Sequence, residues 1–535
     1  MTIVPPLSRQ PQAGFKLKPF AFLCLICAVL ANLHTFAADP DPVAAVTGGS
    51  IRGRLLPEGR GSVFRGIPFA QAPVGDLRWH EPMPVIPWTG IRDAGEAGPP
   101  PAQIAYGWNN KFASAASEDC LYLDVWTPAK PSFQTRYPVM VWIHGGGNTS
   151  GAGGSDPAFD GTALISHCVI LVVIEYRVGI FAFFAHPELS RESPHRACGN
   201  YGILDQIAAL QWVRDNIAKF GGDPENVTLF GQSAGAVDVL AQMTSPLSQG
   251  LFHRAIAESG EPTAAMTQPL DEAEQAGMRA VEKLHVPAQN ALAYLRSLPT
   301  AEILKIEPGK ISFVADGWVF PTASAEVLAA GRARAMPLII GNNAFESPFM
   351  GSVDDIRNSM RKTFKDQAPK ALALYGLADD TPGAIDDPLF GNLAEQWGTD
   401  LLRCPAVVQG ERHNASGNSV WEYEFDRALP PHPRVGHSGE LPYVFGNFRA
   451  KDGNGAAIQD ADRRLSATIQ GYWTNFAKTG NPNGPGLPFW PTYDGKARKY
   501  LTFTTTADVT VKDNQRGPFC DLFREAMAKP AAQVH

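Results

Sequence analysis

The chain has 535 residues, of which 44% are hydrophobic and 19% charged, and a formal net charge of −7. That length allows a large buried core, and a mildly acidic chain without any basic block argues against nucleic acid or an anionic membrane surface as its main partner. Beyond the N-terminal segment there is no CxxC, HExxH or similar cluster, so no metal site is expected.

In chain order, Arg9, Lys16 and Lys18 precede the apolar run Phe20 to Leu33, and Thr35-Phe-Ala-Ala38 supplies small residues before Asp39. A basic start, a short apolar stretch and a small-residue cleavage site describe a secretory signal peptide. Residues 1–38 are therefore expected to be removed, leaving 39–535 exported to a periplasm or the cell exterior. No later stretch approaches the roughly twenty apolar residues of a membrane span. Cleavage leaves Cys120, Cys168, Cys198, Cys404 and Cys520, an odd set with at least one free thiol. Cys168 opens the run Val169 to Ile174 and is expected to be a buried core thiol.

Continuous apolar runs suited to buried parallel strands occur at Val139–Ile143, Cys168–Ile174, Val227–Phe230 and Pro337–Ile340. Between the second and third, Ile207, Leu210, Val213, Ile217 and Phe220 follow helical spacing in a segment from Leu204 to Phe220, closed by Gly221-Gly222. Val420, Trp421, Tyr423 and Phe425 form a later strand-like run. Leu465, Ile469, Tyr472, Trp473 and Phe476 make an amphipathic helix that stops at Gly480. Alternating strands and helices predict one α/β domain over 39–535, with a mostly parallel central sheet and helices on both faces. Residues 96–116 and 262–312 read as insertions lying over the C-terminal strand ends, where such folds bind ligands.

Two local motifs carry chemistry. Gly231-Gln-Ser-Ala-Gly235 follows the strand-like run and precedes a helix-compatible stretch, the setting in which Gly-x-Ser-x-Gly forms a nucleophile elbow presenting Ser233. His144-Gly-Gly-Gly147 follows Trp142-Ile143, and a glycine run there lets backbone N–H groups, with that of the residue after the nucleophile, form an oxyanion hole. A nucleophilic serine needs a base, and in this chain order an acid precedes the histidine. His413 lies in a charged helical stretch and His535 is the last residue, which leaves His432 and His437, both in a Pro/Gly-rich loop.

Long motifs in order resemble the carboxylesterase type B family, which includes carboxylesterases, cholinesterases and bile-salt lipases. They are Gly66-Ile-Pro-Phe-Ala70, Ser117-Glu-Asp-Cys-Leu-Tyr-Leu-Asp-Val-Trp126, Gly199-Asn-Tyr-Gly-Ile-Leu-Asp-Gln206 and Phe220-Gly-Gly-Asp-Pro-Glu-Asn-Val-Thr-Leu-Phe-Gly-Gln-Ser-Ala-Gly235. The resemblance runs from about Val46 to Cys520. It implies an α/β-hydrolase fold and hydrolysis of small-molecule carboxylic esters through an acyl-enzyme, without a metal or organic cofactor. It assigns the base to His437, in His437-Ser-Gly-Glu-Leu-Pro-Tyr-Val-Phe445, and the acid to Glu346, in Gly341-Asn-Asn-Ala-Phe-Glu-Ser347. Phe345 and Ser347 depart from the family's Asp and Gly, which keeps Asp354 and Asp355 in view as acids. The oxyanion donors fall on Gly146, Gly147 and Ala234.

The same resemblance places Trp108 and Phe349 near gorge aromatics that contact substrate. Gln232 stands where many members carry Glu, which weakens a choline-ester reading, and Asn148 replaces a usual Phe, implying a more polar acyl pocket. It also implies a disulfide between Cys404 and Cys520. A lipase or an amide or carbamate hydrolase is the rival within the chemistry. Some members are adhesion proteins lacking the serine, but here all three triad positions are filled.

Overall fold

The strands that frame the site are apolar on both faces, and their alternation divides the core in two. The computed structural model describes residues 41–129, 136–263, 266–284, 290–307, 309–378, 391–429, 432–448 and 458–528. The segment read as a signal peptide and His535 lie outside the described residues. From Pro42 the chain packs as one unit.

The main sheet has 11 strands. In chain order they are β1 (Arg54–Leu55), β2 (Gly61–Pro68), β3 (Tyr122–Pro128), β4 (Tyr137–Ile143), β5 (Ile170–Ile174) and β6 (Gly222–Gln232). β7 (Arg254–Glu258), β8 (Leu338–Asn343), β9 (Val420–Phe425), β10 (Lys499–Phe503) and β11 (Val509–Asp513) follow. Across the sheet the order is β11-β10-β9-β8-β7-β6-β4-β5-β3-β2-β1. The strands from β10 to β5 are mutually parallel, and the two flanks are antiparallel. This is the mostly parallel sheet of an α/β-hydrolase.

Side chains two residues apart share a face. Val139, Val141, Val227, Leu229 and Ile340 enter one core with Ile207, Leu210 and Val213 of helix α1 (Tyr201–Asn216) and Val239 and Leu240 of α2 (Ala234–Gln242). Met140, Trp142, Phe230, Ile339 and Trp421 enter the other. There they meet Leu465, Ile469, Trp473 and Phe476 of a helix at Asp460–Thr479. α1 begins three residues before the predicted Leu204 and passes at Ile217 into a tighter 3-10 turn, ended by Gly221 at φ 84°.

A third cluster joins α3 (Val353–Phe364), α4 (Leu393–Ala415) and a C-terminal helix, α5 (Gly517–Ala528). Cys404 and Cys520 form a disulfide between α4 and α5, with Cα atoms 4.7 Å apart. Cys168 corrects the reading of a buried thiol. The strand begins at Ile170, and Cys168 sits exposed at φ 60° in the turn before it. Of the two insertions, 96–116 contains one short helix, Asn110–Ala115. The other contributes helices at Leu270–Glu282 and Ala291–Ser297 and a two-stranded parallel pair, Thr267–Pro269 with Phe313–Ala315.

The pairing aligns the C-terminal ends of four neighbouring strands. Gln232 of β6 is level with Glu258 of β7, Glu258 with Gly341 of β8, and Asn343 with Phe425 of β9. The segments that follow these strands therefore emerge along one edge.

Candidate active site

Ser233 stands between β6 and α2 at φ 58° and ψ −126°, a region that non-glycine residues occupy only under constraint. The constraint is steric and hydrogen-bonded. A Cβ on Gly235 would lie 2.2 Å from the Ile143 carbonyl oxygen, and one on Gly231 would lie 2.7 Å from the Gly235 backbone. The Ser233 N–H donates to the Glu258 carbonyl at 2.8 Å, tying the turn to β7. The two flanking glycines are thus what lets the turn close, and Ala234 opens α2 with its N–H at the positive end of the helix.

The glycine run after β4 packs directly on this turn. A Cβ on Gly145 would come within 2.6 Å of the Gln232 carbonyl oxygen and 3.0 Å of Ser233 Cβ. Gly146 has φ 120°, where a Cβ would meet the Ser150 carbonyl oxygen at 2.0 Å, and Gly147 has φ 66°. The Gly146 carbonyl turns away to accept from the N–H groups of Thr149 and Ser150.

Buried polar groups hold the loop from behind. His144 stacks on Tyr176, whose hydroxyl donates to the His144 carbonyl at 2.7 Å. Burial pushes the His144 imidazole down to about 4, so it is neutral and donates from Nδ1 to the Gly145 carbonyl. Gln103, from the first insertion, accepts from the Gly151 N–H at 2.9 Å and donates to its carbonyl at 2.7 Å. Asn148 donates to buried Asp238 at 2.8 Å. Its amide is therefore engaged inside the protein rather than lining an acyl pocket.

Glu346 follows β8 by three residues. Its Oε1 accepts the Asn343 N–H at 2.8 Å, and its Oε2 accepts from His437 Nδ1 at 2.6 Å. His437 lies on the loop after β9. Asn343 pins that loop by donating to the Gly436 carbonyl at 3.0 Å and to Glu440 Oε2 at 2.6 Å. Burial works against a charged His437, but the hydrogen bond and charge of Glu346, then the charge of Glu440, outweigh it and raise its pKa above the ordinary value. Burial and then the charge of Glu346 push Glu440 up to about 7. Gln232 Nε2 lies 3.3 Å from His437 Nε2, and Gln232 Oε1 accepts from Ser438 Oγ at 3.0 Å.

The structure thus brings Glu346, His437 and Gln232 together at the edge that carries Ser233, with Gly145–Gly147 against the elbow. It does not bring the other candidates there. Asp354 is 81% exposed and paired with Arg357, and Asp355 caps α3 through Ser352. His432 is exposed. Trp108 is 62% exposed at the surface, and Phe349 packs on the cluster of α3, α4 and α5. Among the described residues, no cluster of His, Cys, Asp or Glu is arranged to hold a metal ion.

Reasoning from sequence missed Asn343, Ser438 and Glu440, although all three lie inside the two motifs that carry Glu346 and His437. It also missed Glu261, just beyond β7, which is buried and has no partner for Oε2 among the described residues. Burial, and then the charge of Glu346, hold its carboxyl well above the usual range.

Residues 40–523 match the carboxylesterase family. The chain belongs to that family. It is 36% identical to a medium-chain fatty acyl-CoA hydrolase precursor of Anas platyrhynchos, over 92% of this chain and 94% of that one. It is 34% identical to a fumonisin B1 esterase of Sphingopyxis macrogoltabida, over 87% of each chain. Among solved structures, a PNB esterase superposes with a TM-score of 0.76 at 32% identity, covering 90% of this chain and all of that one. This carboxylesterase is accordingly a serine hydrolase of ester bonds.

Proposed function

We propose that this carboxylesterase cleaves small-molecule carboxylic esters through an acyl-enzyme on Ser233. His437 Nε2 takes the hydroxyl proton as Ser233 Oγ bonds to the ester carbonyl carbon. The carbonyl oxygen becomes an alkoxide held by the N–H groups of Gly146, Gly147 and Ala234, each such donor worth about 3–4 kcal/mol. Glu346 keeps the Nδ1 proton in place and stabilises the imidazolium. His437 then gives its proton to the departing alcohol. Water adds to the acyl-enzyme by the same path and releases the acid.

The observation that carries this reading is the 2.6 Å contact between His437 Nδ1 and buried Glu346, with His437 Nε2 3.3 Å from Gln232, the residue before a serine held at positive φ. It orients an imidazole with Nε2 directed away from the carboxylate, the arrangement a general base requires. A fluorophosphonate probe tests it. The wild type should label on Ser233, and Ser233→Ala should fold, take no label and lose esterase activity by several orders of magnitude. A folded Ser233→Ala protein with near-normal turnover would overturn the assignment.

The relatives include a fatty acyl-CoA hydrolase and a fumonisin B1 esterase, so likeness to them does not fix the acid or alcohol group of this chain's substrate. p-Nitrophenyl esters of rising chain length, beside amide and carbamate analogues, separate a short-chain esterase from a lipase or an amide hydrolase. We read residues 1–38 as an export signal and 39–535 as one catalytic domain. The Cys404–Cys520 disulfide supports an oxidising destination. Among the described residues no helix is long and apolar enough to cross a membrane.

A further inference from the structure

A peptide unit is planar and trans, so the Gly145 carbonyl and the Gly146 N–H leave one rigid plane in opposite directions. The Gly145 carbonyl is held by a side chain, His144 Nδ1 at 2.8 Å, and among the described residues it accepts from no backbone N–H. The next peptide is held differently, since the Gly146 carbonyl accepts from the N–H groups of Thr149 and Ser150 at 3.2 and 3.1 Å. We infer that Glu175 is a positioning residue for the oxyanion hole: by giving a proton to His144 Nε2, it preserves the Nδ1–H that aims the Gly146 N–H at the substrate. The inference rests on the reading of Gly146 as an oxyanion donor.

Neutral His144 has one ring proton to place. A carbonyl only accepts, so the contact with Gly145 puts that proton on Nδ1 and leaves a lone pair on Nε2. His144 is 1% exposed, and its Nε2 is buried with no hydrogen-bond partner among the described residues. Glu175 directly follows β5 and is 2% exposed, and its Oε2 lies 3.8 Å from that lone pair. Closing the gap by about 1 Å makes an O–H···N hydrogen bond. The other contacts of the carboxyl suit the protonated form. Oε1 accepts from the Ser155 N–H at 3.2 Å and from Ser155 Oγ at 2.9 Å, which fills both of its lone-pair positions. Oε2 accepts the Gly153 N–H at 2.8 Å, and as a hydroxyl it still has a proton to donate.

Loss of that proton to solvent reverses the arrangement. A carboxylate facing a bare Nε2 favours the other tautomer, in which Nδ1 has given up its proton and Nε2 has taken one. Nδ1 then presents a lone pair to the Gly145 oxygen at 2.8 Å. The peptide plane turns away, and the Gly146 N–H turns with it. The surroundings keep the proton on Glu175 near neutrality. Burial is the main cause, the bonds from Gly153 and Ser155 oppose it, the charge of Asp124 on β3 adds to it, and the carboxyl is pushed up to about 8. Arg65 is engaged by Asp124. On the histidine side Asp156 favours a charged ring, but burial outweighs it. Cys120 and Tyr176 also interact with Glu175, and burial holds both protonated well above their ordinary values.

The test measures kcat and KM on p-nitrophenyl butyrate from about pH 6 to about pH 10, for wild type and Glu175→Gln, with folding checked by circular dichroism. Wild-type kcat should fall about tenfold per unit above about pH 8, with KM within about twofold, because an oxyanion donor acts on the transition state more than on bound ester. In Glu175→Gln the amide oxygen still accepts and the NH₂ donates to Nε2 at every pH. That variant should match wild type within about twofold at pH 7 and keep its kcat to about pH 10. A folded Glu175→Gln protein whose kcat falls as wild type does overturns the inference, and so does a wild-type kcat that stays level to about pH 10. If the variant does not fold, the wild type decides: an alkaline loss in kcat supports the inference, and a loss in KM alone overturns it. Fluorophosphonate labelling at pH 7 runs beside these assays. A wild type that takes no label on Ser233 sinks the nucleophile assignment itself, a result distinct from the others.

Discussion

Replacing Glu346 by Gln isolates the charge behind the base. The substitution keeps the side-chain shape, and the amide oxygen still accepts from the Asn343 N–H, at 2.8 Å in the native protein. What is lost is the negative charge facing His437 Nδ1 at 2.6 Å. When His437 holds the serine proton, the two charge centres lie about 4 Å apart. At an effective dielectric of about 20 their attraction is about 4 kcal/mol. Removing that from the transition state lowers kcat about a thousandfold. An amide NH₂ facing Nδ1 also favours the wrong tautomer, which carries the loss toward about ten-thousandfold. Initial rates on p-nitrophenyl butyrate, with circular dichroism as the folding check, measure the effect. Asp354→Asn, at an exposed residue paired with Arg357, is the control and should match wild type. A folded Glu346→Gln enzyme within about tenfold of wild type would refute the electrostatic argument.

Other outcomes are expected at the base, in the pH dependence and at the cysteines. His437→Ala should be as damaging as loss of the nucleophile, because the triad acts as a unit, while His432→Ala should leave turnover near wild type; rates on the same ester decide. The acid limb of kcat/KM should lie above the ordinary imidazole value of about 6.5, since Glu346 and Glu440 outweigh the effect of burial on His437. The sign for stability is opposite: the interaction contributes fully below the unfolded value of about 6.5 and is lost as pH rises through the higher folded one. Stability and rate measured over the same pH series therefore diverge. Cys404→Ala with Cys520→Ala opens a loop with sequence separation 116. The chain-entropy model gives a loss of up to about 5 kcal/mol, seen as a lower Tm at fixed scan rate with turnover at room temperature retained. Alkylation of the unfolded, unreduced mature chain should find three thiols, Cys120, Cys168 and Cys198.

What could be read from the sequence was what is local in the chain. The elbow and the glycine run each occupy one strand, one turn and the start of the next element, so their residues specify their own geometry. The central strands were readable because burial on both faces leaves an unbroken apolar run. β2 and β3 were not, because Arg65, Gly66 and Asp124 interrupt them. The structure accounts for that polarity, since Arg65 Nε and the Gly66 N–H both donate to the buried Asp124 carboxylate. His437 could not be separated from His432 by composition, because both lie in one loop and only the docking of that loop distinguishes them. Gln232 was noticed as a departure from its relatives, yet its partner lies 205 residues away and no local pattern carries that contact. Cys168 failed for a backbone reason, because hydropathy does not register a positive φ.

The separation between Gln232 and His437 also bears on the life of the molecule before it is finished. The chain emerges from its N-terminus, so the elbow is made long before the loop after β9 exists. On the assignment of His437 as base, a growing chain carries its serine without a base and is expected to be inert toward esters. Activity is then expected only once the segment bearing His437 seats against Asn343 and Glu346. In a refolding experiment, the return of esterase turnover is therefore a stricter clock than the return of helical signal, because it reports the docking of that loop on strands that have already paired.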